Sequence, residues 1–442
     1  MTDPVARLVA TLPALTRNLD EAVLPFWFPR SVDPVHGGYH LAQLGLEGPF
    51  ARRPFAQRQK TLVTQARMLW LFARLALMRP KALGLRQAAE HGYRFLVDHL
   101  RDPVHGGYVW AVNRSGNRVT DATKVTYGQA FALYALCGYH SSTGEPEALN
   151  HATHLFERID RHSHDPVHGG YLEMFERDWS APSPHRTSPI GGPPGAKLMN
   201  THLHLLEAVT AYYRASGCSR AQRRLGELIT IQSSAVVRDG IGACTDWYQP
   251  DWTPILQGAG GQVSYGHDLE NIWLLADAVE AIGSSSRNWI DLYGRMFDHA
   301  DRCGWDAKQG GFFYRGAINR PAFDRQKVWW VQAEALMSSL TLFRLTQSPR
   351  YAEVFEQTLH WVMERQTDWR RGEWHAEVHP DGSVRGAKAN RWKEGYHNGR
   401  ALIHSIDLIN SLTASWDQPR QGGFTNHGSA HIPAESAHRR NV

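Results

Sequence analysis

DPVHGGY, residues 33–39, is repeated letter for letter at 102–108 and again at 165–171. Three copies of seven letters do not arise by chance, so the stretch marks a repeated structural unit. Weaker relatives follow: DGIGACTDWY from Asp239, DAKQGGFFYRG from Asp306 and DWRRGEW from Asp368. The starts at 33, 102, 165, 239, 306 and 368 are separated by 69, 63, 74, 67 and 62 residues. Each interval is long enough for two helices and their connections.

The intervening segments carry helical apolar periodicity. It runs near 4–24, 57–79, 82–100, 124–143, 147–161, 197–217, 219–236, 263–283, 286–302, 325–346, 348–366 and 393–414. Short turn-rich links such as SSTGEPEA and RASGCSR alternate with long links carrying the Asp…Gly-Gly-aromatic element. Paired glycines supply the positive φ of a tight reversal, and GGYVWAVNRSGNRVTDATK, residues 106–124, reads as strand, turn, strand. Six helical hairpins with no capping repeat predict an all-α toroid, an (α/α)6 barrel with short β-hairpins in its long loops; an open solenoid is the alternative. Residues 1–415 are expected to form this single domain. The polar, Gly/Pro-rich stretch 416–442 is expected to be a poorly ordered tail.

Composition narrows the function. The chain has 442 residues, 42% of them hydrophobic, and a formal net charge of +5 with scattered arginines, so a nucleic-acid partner is not indicated. Four cysteines lie far apart without a C-x-x-C pair, which argues against a zinc site or a disulfide framework and fits a reducing compartment. No stretch reaches the roughly 18 apolar residues of a membrane span, and no basic-then-apolar leader opens the chain. A soluble cytoplasmic protein, monomer or homodimer, is expected. The 16 tryptophans include candidates for lining a sugar cleft.

Aligned at their starts, the six inner helices place polar and aromatic groups at matching depths: Arg67; Tyr127 and Phe131; Asn200 and His204; His267 and Glu270; Trp330 and Glu334; His397 and Arg400. Residues three or four apart share a helix face, so a closed ring brings these side chains to one pocket at the long-loop mouth. One buried ion pair reads as structure. Several imidazoles and charges at equal depth on different helices read as a site, because such a density of buried charge is costly. Glycoside hydrolysis by Glu270 and Glu334 needs two carboxylates flanking a bond. Zinc would need His204, His267 and His397 from three separate helices. No nucleophile elbow, phosphate loop or dinucleotide fingerprint is present. Two imidazoles titrating near neutrality are suited to moving a proton from one face of a carbon to the other. Arg67, Asn200 and His204 could then serve the developing oxyanion.

KLMNTHLHLLEA, SYGHDLENIWLLADA, KVWWVQAEAL, GEW and WKEGYHNGRALI resemble the N-acylglucosamine 2-epimerase superfamily, most of all its cellobiose and mannose 2-epimerase branch, from about residue 20 to residue 412. The resemblance implies an (α/α)6 barrel and no metal or redox cofactor. It implies His267 and His397 as the catalytic acid/base pair, with His204 and Arg67 holding O1 or O2 of an enediolate. Glu270 would orient or tune His267, and Asn200, Tyr127, Trp330, Glu334 and Trp392 would line the sugar site. Two departures bear on substrate. After GEW the run continues with His375 and Ala376, where disaccharide enzymes tend to carry aromatics. The run Leu269-Glu270-Asn271 departs from the aldose–ketose isomerase pattern. The expectation is an aldose 2-epimerase, with D-mannose/D-glucose slightly ahead of β-1,4-disaccharides such as cellobiose. Mannose–fructose isomerisation and a non-catalytic carbohydrate-binding toroid are the alternatives.

Overall fold

The computed structural model describes residues 3–41 and 59–416. Six helices form an inner ring: α4 (Leu62–Met78), α6 (Thr126–Thr143), α8 (Met199–Ser216), α10 (Tyr265–Ala281), α12 (Trp329–Thr346) and α14 (Tyr396–Trp416). Outside them lie α5 (Leu83–Phe95), α7 (Pro146–His162), α9 (Ser219–Thr230), α11 (Ile290–Gly304) and α13 (Pro349–Trp361). The sixth outer position is filled by the stacked segments α1 (Pro4–Ala10), α2 (Leu12–Arg17) and α3 (Leu24–Trp27). The inner helices are buried nearly all round, and the outer ones bury a single stripe.

The ring is closed, not an open solenoid. Each inner helix packs on the next, and α14 returns to α4. The N-terminal stack lies on α13 and α14. There Arg7 grips Glu356 through Nε (2.9 Å) and Nη2 (2.8 Å), and Trp374 Nε1 donates to Asn18 Oδ1 at 2.8 Å. The expected tail, 416–442, falls outside the described residues apart from its first residue, which ends α14.

The repeated heptad is a turn locked to an inner helix. In the first copy Asp33 Oδ1 accepts from the amides of Val35 and His36, and Gly37 and Gly38 take φ of 79° and 65°. Asp33 Oδ2 pairs with the fully buried Lys60 at 2.8 Å. The same pair recurs as Asp102–Lys124 (3.0 Å), Asp165–Lys197 (2.8 Å), Asp306–Lys327 (2.8 Å) and Asp368–Lys388 (2.6 Å). A second bond fixes the helix register: the amide after each turn donates to a side chain on the inner helix. The pairs are Tyr39–Gln65, Tyr108–Gln129 and Tyr171–His202 at 2.8 Å, Cys244–Asp268 at 2.8 Å and Phe312–Gln332 at 2.9 Å.

The fourth copy begins one residue earlier than the sequence pattern indicates. Arg238, not Asp239, occupies the Asp position: its amide donates to Ala243 O, and Val237 bridges Cys244. With no Asp–Lys pair there, Asp268 receives the turn amide and is itself held by the buried His299 at 3.0 Å.

Strands at the mouth pair mostly across repeats, not within one loop. Gln59–Thr61 pairs with Ala111–Asn113, Lys124–Val125 with Met174–Phe175, and Lys197–Leu198 with Trp247–Tyr248. Gln262–Ser264 pairs with Arg315–Ala317, and Lys327–Val328 with Glu377–Val378. The strand–turn–strand expected within 106–124 forms between Ala111–Asn113 and Val119–Asp121. No helix among the described residues is long and apolar enough to cross a membrane.

Candidate active site

Two residues beyond each register-fixing side chain, a helix has turned by about 200°, so the next group faces the barrel axis. Those positions hold Arg67, Phe131, His204, Glu270 and Glu334. In the sixth repeat Arg400 follows Asn398, which donates to Glu373 at 2.7 Å. The locks that build the ring thereby set the depth of the site.

A cavity of about 510 Å³ opens at the long-loop mouth. Nine of the ten residues expected at the site line it: Arg67, Tyr127, Asn200, His204, His267, Glu270, Trp330, Trp392 and His397. Glu334 does not. It is fully buried behind His397, where its Oε1 meets His397 Nδ1 at 2.7 Å and its Oε2 accepts from Trp273 Nε1 at 2.8 Å. The geometry makes it a holder of the imidazole, not a lining group.

His267 and His397 come from helices on either side of Trp330. Their ring centroids lie 4.9 and 5.7 Å from its indole, so one aromatic surface separates them in a common cavity. Burial, with the nearby His204, lowers His267 to about 3. Burial, with Arg67 and Arg400, holds His397 well below the usual imidazole range. Both rings are therefore neutral at neutral pH and can accept a proton. Because Glu334 also receives N–H groups from Trp273 and Arg400, it acts as an acceptor. His397 Nδ1 is then the donor, which leaves Nε2 with a free lone pair.

His204 is held in the same way by a residue the sequence reading missed. Its Nδ1 lies 3.0 Å from Glu207 Oε2, one helical turn on. The H-x-x-E spacing was the available signal. Burial opposes ionisation of Glu207, but Arg400 and His204 outweigh it and hold the carboxyl at about 2. Glu270 does not orient His267 as expected. Its Oε1 accepts from Arg400 Nη2 at 2.8 Å and its Oε2 has no partner. Burial and the neighbouring Glu334 push Glu270 up to about 7.

Arg67 is fixed by Glu394 at 2.9 Å, a second residue not foreseen, and by the Tyr127 hydroxyl at 2.9 Å. Its guanidinium lies 4.1 Å from the Phe131 ring centroid. Asn200 anchors its own amide on Asp246 Oδ1 at 2.9 Å and keeps its side-chain Oδ1 unpaired. Trp392 lies at the rim, 6.4 Å from Trp110 between centroids. His202, two residues before His204, is a structural residue: Nε2 accepts the Tyr171 amide and Nδ1 donates to Leu198 O at 2.7 Å.

Rival chemistries meet this geometry poorly. Glu270 and Glu334 share one guanidinium nitrogen and do not flank a space between them. Among the described residues one group has metal-ligand spacing, Glu270, Glu334 and His397, within 4.8 Å of one another. Arg400 Nη2 already supplies the positive charge between the two carboxylates, and His397 Nδ1 is spent on Glu334.

Fold and site together define a closed (α/α)6 barrel with an imidazole- and indole-lined cavity at its long-loop mouth. The chain belongs to the N-acylglucosamine 2-epimerase family, whose profile matches residues 49–401. It is 31% identical over 398 residues to a cellobiose 2-epimerase of Bacteroides fragilis, covering 89% of this chain and 97% of that protein. A D-mannose isomerase of Marinomonas mediterranea is 25% identical over 370 residues, 80% of this chain and 86% of that one. The structure of cellobiose 2-epimerase from Spirochaeta thermophila superposes with a TM-score of 0.82 at 33% identity, covering 93% of this chain and all of that one. The protein is a sugar 2-epimerase, an enzyme of the isomerase class.

Proposed function

We propose that the enzyme inverts C2 of a glucose- or mannose-configured aldose by proton transfer between His267 and His397, with no metal or redox cofactor. The observation that carries the reading is the placement of both neutral rings against Trp330 in one cavity. With the sugar ring open, one Nε2 takes the C2 proton and the electron pair forms the C1–C2 enediolate. Arg67 donates to the oxyanion at O1 or O2, and His204, its Nδ1–H turned to Glu207, accepts through Nε2 from the hydroxyl on the other oxygen. Rotation about C2–C3 presents the other face of C2 to the second imidazole, which returns a proton. Glu334 stabilises His397 while it is cationic, and Trp330 offers a π face to either imidazolium.

We place the reducing end of a β-1,4-disaccharide ahead of a free hexose, reversing the order the sequence favoured. The aromatics absent after GEW are supplied elsewhere: Trp247, Trp329 and Trp392 line the cavity. Trp374 of GEW is itself buried against Asn18. The named activity of the B. fragilis relative, similar along nearly its whole length, supports the same choice. A second reading, mannose–fructose isomerisation, is favoured by the similarity to a D-mannose isomerase and shares the enediolate. Incubation with cellobiose and with mannose in deuterated water tests both. The expected result is deuterium at C2 of glucosyl-mannose; ketose as the main product favours the second reading, and unlabelled epimer overturns the proton-transfer mechanism.

A further inference from the structure

The least expected feature of the site is a residue outside the cavity. Arg400 of α14 is fully buried and not among the lining groups. Its guanidinium meets carboxylates from three other inner helices: Glu207 of α8 through Nη1, Glu270 of α10 through Nη2 at 2.8 Å, and Glu334 of α12 through Nη2 at 2.7 Å. Nη1 also reaches the Tyr396 hydroxyl, and the guanidinium carbon lies 4.3 and 4.6 Å from the ring centroids of Tyr396 and Trp273. Two of the three carboxylates each hold a cavity imidazole by Nδ1, at 3.0 Å for His204 and 2.7 Å for His397.

We propose that Arg400 is the positioning residue of the reaction: by pinning Glu207 and Glu334 as acceptors it fixes His204 and His397 in the same tautomer, Nδ1–H turned to a carboxylate and Nε2 turned to the substrate. This rests on the two-histidine reading above. The argument is one of donors and acceptors. A carboxyl that took up a proton could donate to Nδ1 instead, which would move the ring's own N–H to Nε2 and remove its power to accept, whether a proton from C2 at His397 or a hydrogen bond from a sugar hydroxyl at His204. A permanently charged, planar donor reaching both carboxylates opposes the uptake of that proton, against the burial that raises Glu334, and orients both groups. A lysine ammonium has no such fork. The charged and titratable groups facing Arg400 are Glu207 and His204 on α8, Glu270 on α10, Glu334 on α12, Arg67 on α4, Tyr134 on α6, and Tyr396, His397 and His404 on its own helix. The three glutamates outnumber the guanidinium, so its loss leaves carboxylates that take up protons at higher pH.

The test compares Arg400→Lys and Glu207→Gln with the wild type in full pH profiles. Arg400→Lys is expected to lower kcat by at least about tenfold, with KM nearly unchanged and the acid limb of kcat/KM moved up by about one pH unit. Glu207→Gln releases only the His204 arm and is expected to lower kcat by a smaller factor. A profile for either variant that superimposes on the wild type, or a loss confined to KM, overturns the proposal. If Arg400→Lys does not fold, the isosteric Glu207→Gln decides. Deuterium at C2 with the wild type tests the underlying mechanism separately, because it does not depend on Arg400.

Discussion

Two buried charge networks share the same inner helices, about two turns apart, and they are built to opposite rules. The Lys–Asp locks at the helix starts are saturated. Lys60, for example, donates to Asp33 and to Gly37 O, and Asp33 takes two backbone amides besides. The axial cluster is left open: Glu270 Oε2 and Asn200 Oδ1 have no partner, and the His267 ring packs against Trp330. Buried polar groups are normally satisfied, so Glu270 Oε2 and Asn200 Oδ1, on residues lining the cavity, are available to a bound sugar under the reading proposed above. Glu270 also depends on pH with the sign opposite to the locks, while Glu207 of the same cluster shares theirs. Lysine and backbone donors, with Arg177 ahead of them at Asp102, outweigh burial and lower the lock aspartates, whereas burial raises Glu270.

The strongest way to break this contrast is to delete the imidazoles. His267→Ala and His397→Ala are each expected to lower kcat by about 10³- to 10⁴-fold while the melting temperature and sugar affinity hold. Retention of most of kcat by either variant would remove the functional half of the comparison. The lock half is tested by Lys60→Ala, expected to cost about 3–5 kcal/mol in denaturant unfolding because it strands a buried Asp33. The protein that remains folded should keep its kcat.

The pH signs sharpen it further. A raised carboxyl favours the folded state only while protonated, so Glu270 costs stability as pH rises from about 4.3 toward about 7. Glu270→Gln is therefore expected to be more stable than the wild type by about 1–3 kcal/mol at pH 8, with no difference at pH 4, and to lose activity. The lowered lock aspartates give stability that is fully present above about pH 4 and is lost as pH falls below it. Wild-type unfolding should thus steepen under acid below that value, as circular dichroism against pH will record. The smallest expected effect is at the rim: Trp392→Ala should raise KM for a disaccharide about fivefold, the loss of about 1 kcal/mol of stacking, and leave KM for a hexose nearly unchanged.

Much of the ring could be read from the chain because its turn chemistry is local. An Asp that caps its own turn, a glycine pair at positive φ and a lysine ahead of each inner helix leave a written pattern wherever they occur. Where partners were exchanged the pattern slipped by one residue: Arg238 and Asp268 replace the Asp–Lys pair with a different lock. Nine of the ten expected site residues lie on the cavity; Arg67, His204 and Glu270 do so at the same two-residue distance from a lock, where equal distance gives equal depth. The exceptions are matters of partnership. Glu334 backs His397, Glu270 bonds Arg400 and Glu394 holds Arg67, each joining segments 63 to 327 residues apart, whereas Glu207 holds His204 within one helix, at a spacing the chain does display.

The amino-acid order by itself determined the repeat, the number of helical hairpins and which side chains stand at the mouth, because those follow from periodicity and from turns closed within a few residues. Only the closed ring decided that Glu334 holds His397, that one guanidinium serves three carboxylates, and that two histidines share a single indole. Those choices depend on ångström-scale distances across the axis, which exist only once α14 has packed against α4.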